Sequence, residues 1–277
     1  MDTAEVTTWA GQSGANGHMD GMGTGARFSN PSGLATDGAV IWVADAGNAV
    51  IREIDVTTAQ VTTIAGQVGN AGNNDGMGGA TLDAMRDLAW DGSFLYLVQG
   101  NGVVRRIDPG SGAVVTVAGQ PNTNGFMDGQ GGAVRFDVPR HIEATGPGEL
   151  YIADTENHRV RLMLVNGMVG DVSSPYGMMA GHQDGNGNAA LFRRHRGLAH
   201  DGAGHLAVSD SDNFVIREID LGTDEVTTIA GMAGNANHVE GVGVGAGFDK
   251  PLDMHYDATT GDLFISEGNV LRRMYYQ

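Results

Sequence analysis

The sequence contains no cysteine, a single lysine and few aromatic residues, and it has no long apolar run. The absence of cysteine excludes disulfide frameworks and thiolate chemistry. No segment approaches the ~20 consecutive apolar residues of a transmembrane helix. The first eleven residues also lack the basic and apolar regions of a signal peptide. We therefore expect a soluble protein with no membrane partner, a description that also fits an exported chain whose signal has been removed.

Positive charge is scarce as well. The chain carries 16 basic and 33 acidic residues, which gives a formal net charge of −17. An acidic surface repels nucleic-acid phosphates and anionic lipids, so we predict no nucleic-acid partner. The sequence also lacks a glycine- and lysine-containing phosphate loop and the Gly-x-Ser-x-Gly turn of serine hydrolases, so neither kind of site has support.

Repetition is what the sequence has in abundance, together with 45 glycines. The hexapeptide VTTIAG occurs at 61–66 and 226–231, and VIREID occurs at 50–55 and 215–220, so the two copies of each motif lie 165 residues apart. The glycine that ends the first motif recurs at intervals of 50 to 62 residues, as Gly11, Gly66, Gly119, Gly181 and Gly231. A period of this length predicts a repeat architecture with five units.

Every repeat has the same internal order. A loop rich in Gly and Asn ends in an acidic residue followed by Gly, then a hydrophobic anchor follows, and then four short segments of alternating apolar residues. Alternation, β-branched residues and Gly, Asn or Asp turns are typical of short antiparallel strands, and four such strands form a propeller blade. The anchors are Phe28, Leu82, Phe136, Phe192 and Phe248.

The repeats account for the chain as a single domain over residues 1–277. The segment after Gly231 lacks a last strand, which the N-terminal sequence EVTTWAG at 5–11 can supply. Pairing the two ends would leave no open sheet edge. The sequence therefore predicts an all-β protein, a five-bladed β-propeller of four-stranded antiparallel blades whose ring is closed by an N-terminal strand that completes the last blade.

The second and third strands of the repeats resemble the NHL repeat. The resemblance is carried by ADTENHRVR at 153–161, ADAGNAVIREID at 44–55 and SDSDNFVIREID at 209–220. The loop pattern is similar to that of secreted bacterial NHL proteins and of the NHL domains of teneurins. This resemblance implies a propeller of bacterial origin that works in an extracellular or periplasmic location.

The resemblance leaves the function open, because NHL propellers include protein-binding, RNA-binding, sensor and adhesion domains as well as a peptide-amidating lyase. This chain also departs from the family pattern. Gln99 and Glu267 stand where Asp is expected, and five blades are fewer than the usual six.

Two charged positions recur in every repeat. The acidic residues that precede Gly are Asp20, Asp75, Asp128, Asp184 and Glu240. Their Asn- and Gly-rich surroundings are compatible with Ca²⁺ ligands, but Asp-Gly also favours a simple turn, which we consider the better interpretation. The arginines of the third strand are Arg52, Arg105, Arg161, Arg217 and Arg272. A residue required in every blade indicates a structural role, such as pairing with an acidic partner.

Function is expected where the repeat is broken, at the start of the first, innermost strand of each blade. Three consecutive blades carry arginine there, and the next position is acidic or histidine in three blades. Converging guanidinium groups at the mouth of the channel would bind a carboxylate or phosphate, and imidazole could act as acid or base. The candidates are Arg86, Asp87, Arg140, Arg196 and Asp253 for ligand binding and His141 and His195 for proton transfer. The alternative is that these groups pair with one another and only fill a polar channel.

Histidine is distributed irregularly among the loops that enter the blades. His18, His182 and His238 all stand two residues before the acidic position. Three imidazoles at equivalent positions could bind Zn²⁺ with an open position for water. Exposed polar loops also contain histidine without any such role. Apart from Ca²⁺ or Zn²⁺ at these two places, we expect no cofactor.

Two functions from different classes follow from this pattern. The first is a monomeric, non-catalytic recognition or scaffold propeller that binds a protein, a glycan or a small anionic ligand at the loop rim and channel mouth. The second is a lyase or hydrolase in which the arginines hold a substrate carboxylate and a histidine moves a proton. The sequence does not decide whether the protein is an enzyme.

Overall fold

The computed structural model describes residues 7–166, 169–177 and 179–275. In these residues the regular structure consists of β-strands and short 3-10 turns, and the strands form five antiparallel sheets. The fold is a five-bladed β-propeller, which confirms the predicted class and the predicted number of blades. The chain divides into two compact units. The first contains residues up to Gln99 and Arg105–Thr116, and the second contains Gly100–Val104 and the residues from Val117 onward.

The first unit carries blade 1 and most of blade 2. The strands of blade 1 are β1 (Gly21–Met22), β2 (Pro31–Thr36), β3 (Val40–Asp45), β4 (Val50–Asp55) and β5 (Gln60–Gly66). The strands of blade 2 are β6 (Gly76–Met77), β7 (Met85–Trp90), β8 (Leu95–Gln99), β9 (Val103–Asp108) and β10 (Ala113–Gly119). The boundary between the units falls within β9 and β10.

The second unit carries the other three sheets. The strands of blade 3 are β11 (Gly129–Gln130), β12 (His141–Gly146), β13 (Glu149–Asp154), β14 (Arg159–Asn166) and β15 (Val169–Tyr176). The strands of blade 4 are β16 (Gly185–Asn186), β17 (Leu198–His200), β18 (His205–Asp210), β19 (Val215–Asp220) and β20 (Glu225–Gly231). The strands of blade 5 are β21 (Pro251–Asp257), β22 (Asp262–Glu267) and β23 (Val270–Met274). The 3-10 turns are Gly23–Gly25, Ala46–Asn48, Thr155–Asn157, Gly187–Ala189, Ser211–Asn213 and Gly243–Gly245.

The four predicted strands of a repeat lie side by side in chain order, as β5-β4-β3-β2 shows for blade 1. The two copies of VIREID form the same element, β4 and β19, and in each the apolar residues and the arginine are buried while the two acidic residues keep some exposure. The structure adds one feature to blades 1 to 4. The residue pair after each loop acid forms a short outer strand against the fourth long strand, as when β1 pairs with β5 through Gly21 and Val61.

The predicted closing strand at 5–11 falls partly on residues 1–6, which lie outside the described residues. The described part of that segment, Thr7–Gly11, is not in a strand. Blade 5 accordingly contains three strands within the described part of the chain.

The hydrophobic anchors of blades 2 to 5 are buried, and Phe28, the anchor of blade 1, is half-buried. Leu82, Phe136 and Phe192 are fully buried, and Phe248 is nearly so. In the first unit Leu82 packs with Ile51 and other residues of blades 1 and 2. Burying a side chain of this size contributes roughly 1.5–3 kcal/mol, so the anchors are a main source of stability between blades.

Candidate functional site

A buried arginine network forms the centre of each regular blade. In blade 1, Arg52 has no exposed surface and donates to Asp45 at 3.0 Å and to Asp20 at 2.7 Å. The same guanidinium donates to the carbonyl oxygens of Arg27 at 2.8 Å and Met19 at 2.9 Å. One side chain therefore ties the entering loop to the second and third strands. This geometry gives the repeated arginine the structural role expected from its recurrence.

Blades 3 and 4 repeat this arrangement. The pairs are Arg161 with Asp154 at 2.6 Å and Asp128 at 2.7 Å, and Arg217 with Asp210 at 3.1 Å and Asp184 at 2.6 Å. In each blade one carboxylate is fully buried and the other is about half exposed. Because a buried charge pair needs additional hydrogen bonds to offset desolvation, the donors around the buried carboxylate matter as much as the arginine.

Those donors come from the loops on one face of the blade. The backbone N–H of Ser29 donates to Asp45 Oδ1 at 2.7 Å, and the Asn48 amide donates to Asp45 Oδ2 at 2.7 Å. The loop between the second and third strands also contacts the loop that enters the blade, through the N–H of Gly47 and the carbonyl of Ser29. The two loops lie on one face, as the alternation of strand direction requires.

The acidic residue before Gly has a role that neither sequence interpretation anticipated. In blade 1 Asp20 accepts hydrogen bonds from Arg52, from the N–H of Thr63 and from the Thr63 hydroxyl. Asp184 makes the equivalent contacts with Thr228 of blade 4. The carboxylate thus links the arginine network to the fourth strand. A calcium-binding role for this position stays a prediction.

The pKa values of the two carboxylates that bind Arg217 are shifted in opposite directions. Burial raises the pKa of Asp210 to about 6, against the influence of Asn213 and Arg217. Burial acts in the same direction on Asp184, but the Thr228 hydrogen bonds and the Arg217 charge outweigh it and hold the pKa of Asp184 below 3.8. Both groups are therefore ionised at neutral pH.

Blades 2 and 5 modify the network at the two positions where the repeat motif is broken. Gln99 is buried and accepts from Arg105 at 3.3 Å, so within the described part of the chain Arg105 has one carboxylate partner, Asp75 at 2.9 Å. Burial lowers the pKa of Arg105, although the charge of Asp75 acts in the opposite direction. In blade 5, Glu267 takes the place of Asp and binds Arg272 at 3.1 Å.

The positions expected to carry function lie at the beginning of the first strands. The N–H of Arg140 donates to Ala153 O and that of Arg196 donates to Ser209 O, both at 3.1 Å, so the two arginines occupy equivalent backbone positions in blades 3 and 4. Both side chains are half-buried. The Nε atom of Arg196 is buried and meets no hydrogen-bond acceptor in the described part of the protein.

An imidazole and a carboxylate meet at the next position of the repeat. His141 Nδ1 lies 3.1 Å from Asp253 Oδ1, although His141 belongs to blade 3 and Asp253 to blade 5. The His141 side chain is 13% exposed and that of Asp253 is 67% exposed, so solvent reaches the pair. Burial would raise the pKa of Asp253, but the hydrogen bond and charge of His141 lower it. The sequence singled out both residues but did not indicate that they form a pair.

A glycine in blade 4 makes this pair possible. Gly197 occupies the position equivalent to His141 and Asp253, and β17 contacts both β12 and β21. A Cβ atom at Gly197 would lie 2.8 Å from the Asp253 Cα and 2.7 Å from the Leu252 oxygen. No side chain fits there, so the strands approach closely and His141 reaches Asp253 past an empty position.

The other predicted ligand-binding residues lie in the first unit, on β7. Arg86 is exposed and Asp87 is half-buried. A Cβ atom at Gly33 would lie 2.5 Å from the Asp87 Cα, so β2 approaches β7 as β17 approaches β21. The same combination of Gly in one blade and Asp in the next therefore occurs once in each unit.

His195 lies in the core rather than at the channel mouth where the sequence had placed it. Its ring is fully buried, with its centroid 5.3 Å from that of Phe192. Burial lowers the pKa of His195 to about 3, and the charge of His158 acts in the same direction, against a weaker influence of the Arg159 backbone. The imidazole is therefore neutral at physiological pH and has no surface through which to reach a ligand.

The three histidines considered for zinc each contact their own blade. His18 is 2.7 Å from the Thr63 hydroxyl, and His182 is 3.1 Å from the Thr228 hydroxyl. His238 lies 3.4 Å from the carboxylate of Glu240 and 3.4 Å from that of Glu267. Over the described ranges, no three or more His, Asp and Glu side chains are grouped to hold a metal ion.

Sequence analysis did not identify a series of ion pairs on the loops of blades 3 to 5. Arg194 pairs with Glu156 and, at 3.8 Å, with Asp212, which also binds Lys250 at 2.6 Å. The acids stand two residues after the motif Asp and the bases two residues after the anchor. That matched spacing in consecutive repeats is the pattern that could have predicted them.

The sequence has relatives among characterised proteins, although no protein-family model matches it. It is 27% identical over 287 residues to Protein SUPPRESSOR OF QUENCHING 1, chloroplastic, of Arabidopsis thaliana, a match that covers 94% of this chain and 26% of that protein. It is 26% identical over 288 residues to NHL repeat-containing protein 2 of Bos taurus, covering 91% of this chain and 39% of that protein. The chain thus spans well under half the length of these relatives.

Solved structures share the fold. An auxiliary nutrient binding protein of Bacteroides thetaiotaomicron superposes with a TM-score of 0.58 at 15% identity, over 87% of this chain and 67% of that one. A structure from a nidogen/laminin complex superposes with a TM-score of 0.59 at 12% identity, over 90% of this chain and 77% of that one. Within the described residues no helix has the length and hydrophobicity needed to cross a bilayer. The relatives named for NHL repeats, together with five blades built on a recurring motif, support an NHL-repeat β-propeller.

Proposed function

We propose that this propeller is a non-catalytic recognition module that binds a small anionic ligand at the first strands of blades 3 to 5. The observation that carries the proposal is the solvent-accessible His141–Asp253 pair, formed past Gly197. Among the residues that the structure describes, His141 and Asp253 pair with each other and not with the buried arginines at the centres of the blades.

The charge balance of this cluster favours an anion. The charge of His141 lowers the pKa of Asp253, and Arg140 and Arg196 add guanidinium groups at the positions just before His141 and Gly197. Guanidinium groups bind carboxylate and phosphate through paired hydrogen bonds. On a chain with a net charge of −17, a local positive site is what an anionic ligand needs to overcome the general repulsion.

The fold neighbours are compatible with this role, since one is named as an auxiliary nutrient binding protein and another comes from a protein complex. Protein and glycan ligands at the loop rim belong to the same proposal, as do a monomeric state and an extracellular or periplasmic location in a bacterium. Arg86 and Asp87, on β7 of the first unit, remain predicted ligand-binding residues.

Binding can be tested by thermal shift with small carboxylates and inorganic phosphate. We expect a ligand-dependent rise in Tm for the parent protein that is lost in Arg140→Gln and Arg196→Gln. Arg193→Gln is the matched control, because Arg193 is exposed and lies in the loop that leads to Arg196. Equal shifts in all four proteins would contradict the proposal, as would the absence of any shift in the parent.

The alternative, a lyase or hydrolase, is favoured by the same hydrogen bond. Asp253 Oδ1 lies 3.1 Å from Nδ1 of His141, and a carboxylate that orients an imidazole is a recurring catalytic arrangement. NMR of any bound carboxylate during long incubation would test it. Conversion that His141→Gln abolishes and Arg193→Gln preserves would establish the enzyme, whereas an unchanged ligand would favour recognition alone.

A further inference from the structure

Methionine is the only sulfur-containing residue of this chain, and its side chains differ widely in their contact with solvent. The sequence has 13 methionines and no cysteine. Three methionines of the long strands are at most 6% exposed, namely Met85, Met163 and Met254. Five others are between 51% and 73% exposed, and we call them the loop methionines: Met19, Met22, Met77, Met127 and Met179. A thioether exposed to this extent is open to oxidants in solution.

The loop methionines share one place in the repeat. Met19 and Met127 directly precede the acidic residue of an entering loop, and Met22 and Met77 follow it by two residues. Met22 and Met77 therefore lie in the short outer strands β1 and β6, and Met179 lies in the loop that enters blade 4. The three buried methionines lie on β7, β14 and β21. Among these eight residues, exposure of the thioether follows the position in the repeat.

The backbone at the exposed positions is held by contacts that do not involve sulfur. The carbonyl oxygen of Met19 accepts from the buried Arg52 at 2.9 Å, and that of Met127 accepts from the buried Arg161 at 3.0 Å. An oxygen atom added to either sulfur would lie in solvent. It would leave the arginine contacts in place, because the main chain makes them.

The sulfur atoms of the core are in the opposite situation. A Cβ atom at Gly170 would lie 3.0 Å from the Met163 sulfur, so the backbone of β15 packs directly against it. Met85 and Met254 belong to hydrophobic clusters of the first and the second unit, respectively. A sulfoxide at these positions would bury a polar oxygen, which destabilises a core. An oxidant reaches such a sulfur only when the surrounding strands open.

We propose that the loop methionines are sites of reversible oxidation by hydroperoxides, which converts apolar surface of the entering loops into polar surface. The thioether sulfur attacks the terminal oxygen of the hydroperoxide, the O–O bond breaks and an S–O bond forms. The proton of the transferred oxygen moves to the leaving oxygen, so the reduced product is an alcohol, or water from hydrogen peroxide. Sulfur loses two electrons, which thiol-dependent methionine sulfoxide reductases return with release of water. This proposal is independent of the proposed anion-binding function, since no loop methionine lies on the first strands of blades 3 to 5.

Treatment of the full chain with hydrogen peroxide, followed by peptide mass spectrometry, tests the proposal. We expect each loop methionine to gain one oxygen atom at least about tenfold faster than Met85, Met163 and Met254, because buried sulfur reacts only after local opening. During this fast phase Tm should not change, whereas retention on a hydrophobic-interaction column should fall. Methionine sulfoxide reductases A and B together should then restore both the mass and the retention.

A variant with leucine at all five loop positions is the matched control. It should show no fast phase, and peroxide should not change its retention. If this variant does not fold, the single variants Met22→Leu and Met77→Leu replace it, and each should lack only its own oxidation. Equal rates for loop and buried methionines would overturn the proposal. A lower Tm after the fast phase, or a retention that does not respond to peroxide, would overturn it as well.

Discussion

Blade 3 and blade 2 place an arginine at the same point of the third strand but surround it differently. In blade 3, Arg161 lies between the fully buried Asp154 and the half-exposed Asp128. In blade 2 the buried partner is the neutral Gln99, and Arg105 keeps one carboxylate. Both arginines donate to two backbone carbonyls of the entering loop in addition.

The difference separates two requirements that the regular blades combine. A buried arginine needs acceptors for its N–H groups, and a buried carboxylate needs a positive partner. Blade 2 meets the first requirement without creating the second, because an amide oxygen accepts a hydrogen bond without bringing a charge. The repeat thus preserves hydrogen bonding more strictly than charge pairing.

The difference between blades 2 and 3 should have its largest effect on stability when the arginine itself is removed. Arg161→Met leaves Asp154 buried without a cation, and breaking a buried pair in this way costs about 3–5 kcal/mol. Arg105→Met leaves only the half-exposed Asp75, which water can solvate, so a smaller loss is expected. Urea unfolding followed by circular dichroism measures both. Equal losses would mean that the carbonyl contacts, not the buried carboxylate, determine the cost.

The contributions of Asp210 and Asp184 to the stability of the protein should change in opposite directions with pH. The pKa of Asp210 is about 6 in the folded protein and 3.8 without its surroundings, so its protonated form is favoured by folding. The parent should therefore lose about 3 kcal/mol relative to Asp210→Asn as pH rises from 3.8 to about 6, at ~1.4 kcal/mol per unit of pKa.

Asp184 provides the matched case. Its pKa lies below 3.8, so its contribution is present above that pH and is lost as pH falls through the lowered value. Asp184→Asn should therefore differ from the parent at neutral pH and converge with it in acid. Unfolding curves for Asp210→Asn and Asp184→Asn over the acidic pH range test both expectations. If the stability difference from the parent changed with pH in the same direction for both variants, the opposite pKa shifts would be wrong.

The smallest effects are expected at Gln99 itself. Gln99→Glu gives Arg105 a second carboxylate, as Glu267 does for Arg272 in blade 5, and desolvation should offset most of the gain, leaving a change of about 1 kcal/mol or less. Gln99→Met removes the acceptor and should cost about 1–3 kcal/mol, because the buried guanidinium loses a partner. Thermal unfolding of the two variants measures this. If Gln99→Glu lost as much stability as Gln99→Met, the buried charge rather than the lost hydrogen bond would determine the cost of substitution at this position.

Much of the fold could be predicted because its signals are local. Alternating apolar residues define the strands, and turn residues define their ends, so the four long strands of blades 1 to 4 and the three described strands of blade 5 were found together with their anchors. The short outer strands were missed, since two residues such as Gly21 and Met22 are too few to show any alternation.

The candidate site could be predicted only as a set of positions. Equivalent positions in the repeats singled out Arg140, Arg196, His141 and Asp253, and the structure pairs the last two. His195 belonged to the same set and lies in the core. The left-handed residue before it, Arg194, recurs two residues after the anchor in blades 1 to 3, as Asn30, Ala84 and Val138. The next position is also buried in blades 2 and 3, at Met85 and Pro139, so a comparison of the repeats at this position could have placed His195 in the core.

The sequence by itself determined the number of blades, the order of their strands and the residues that every blade repeats, because each of these depends on neighbours along the chain. Only the tertiary structure decided which charged groups meet. The contact between His141 and Asp253 depends on the close approach of strands from different blades at Gly197, and such an approach is set by packing across the sheets rather than by any local pattern.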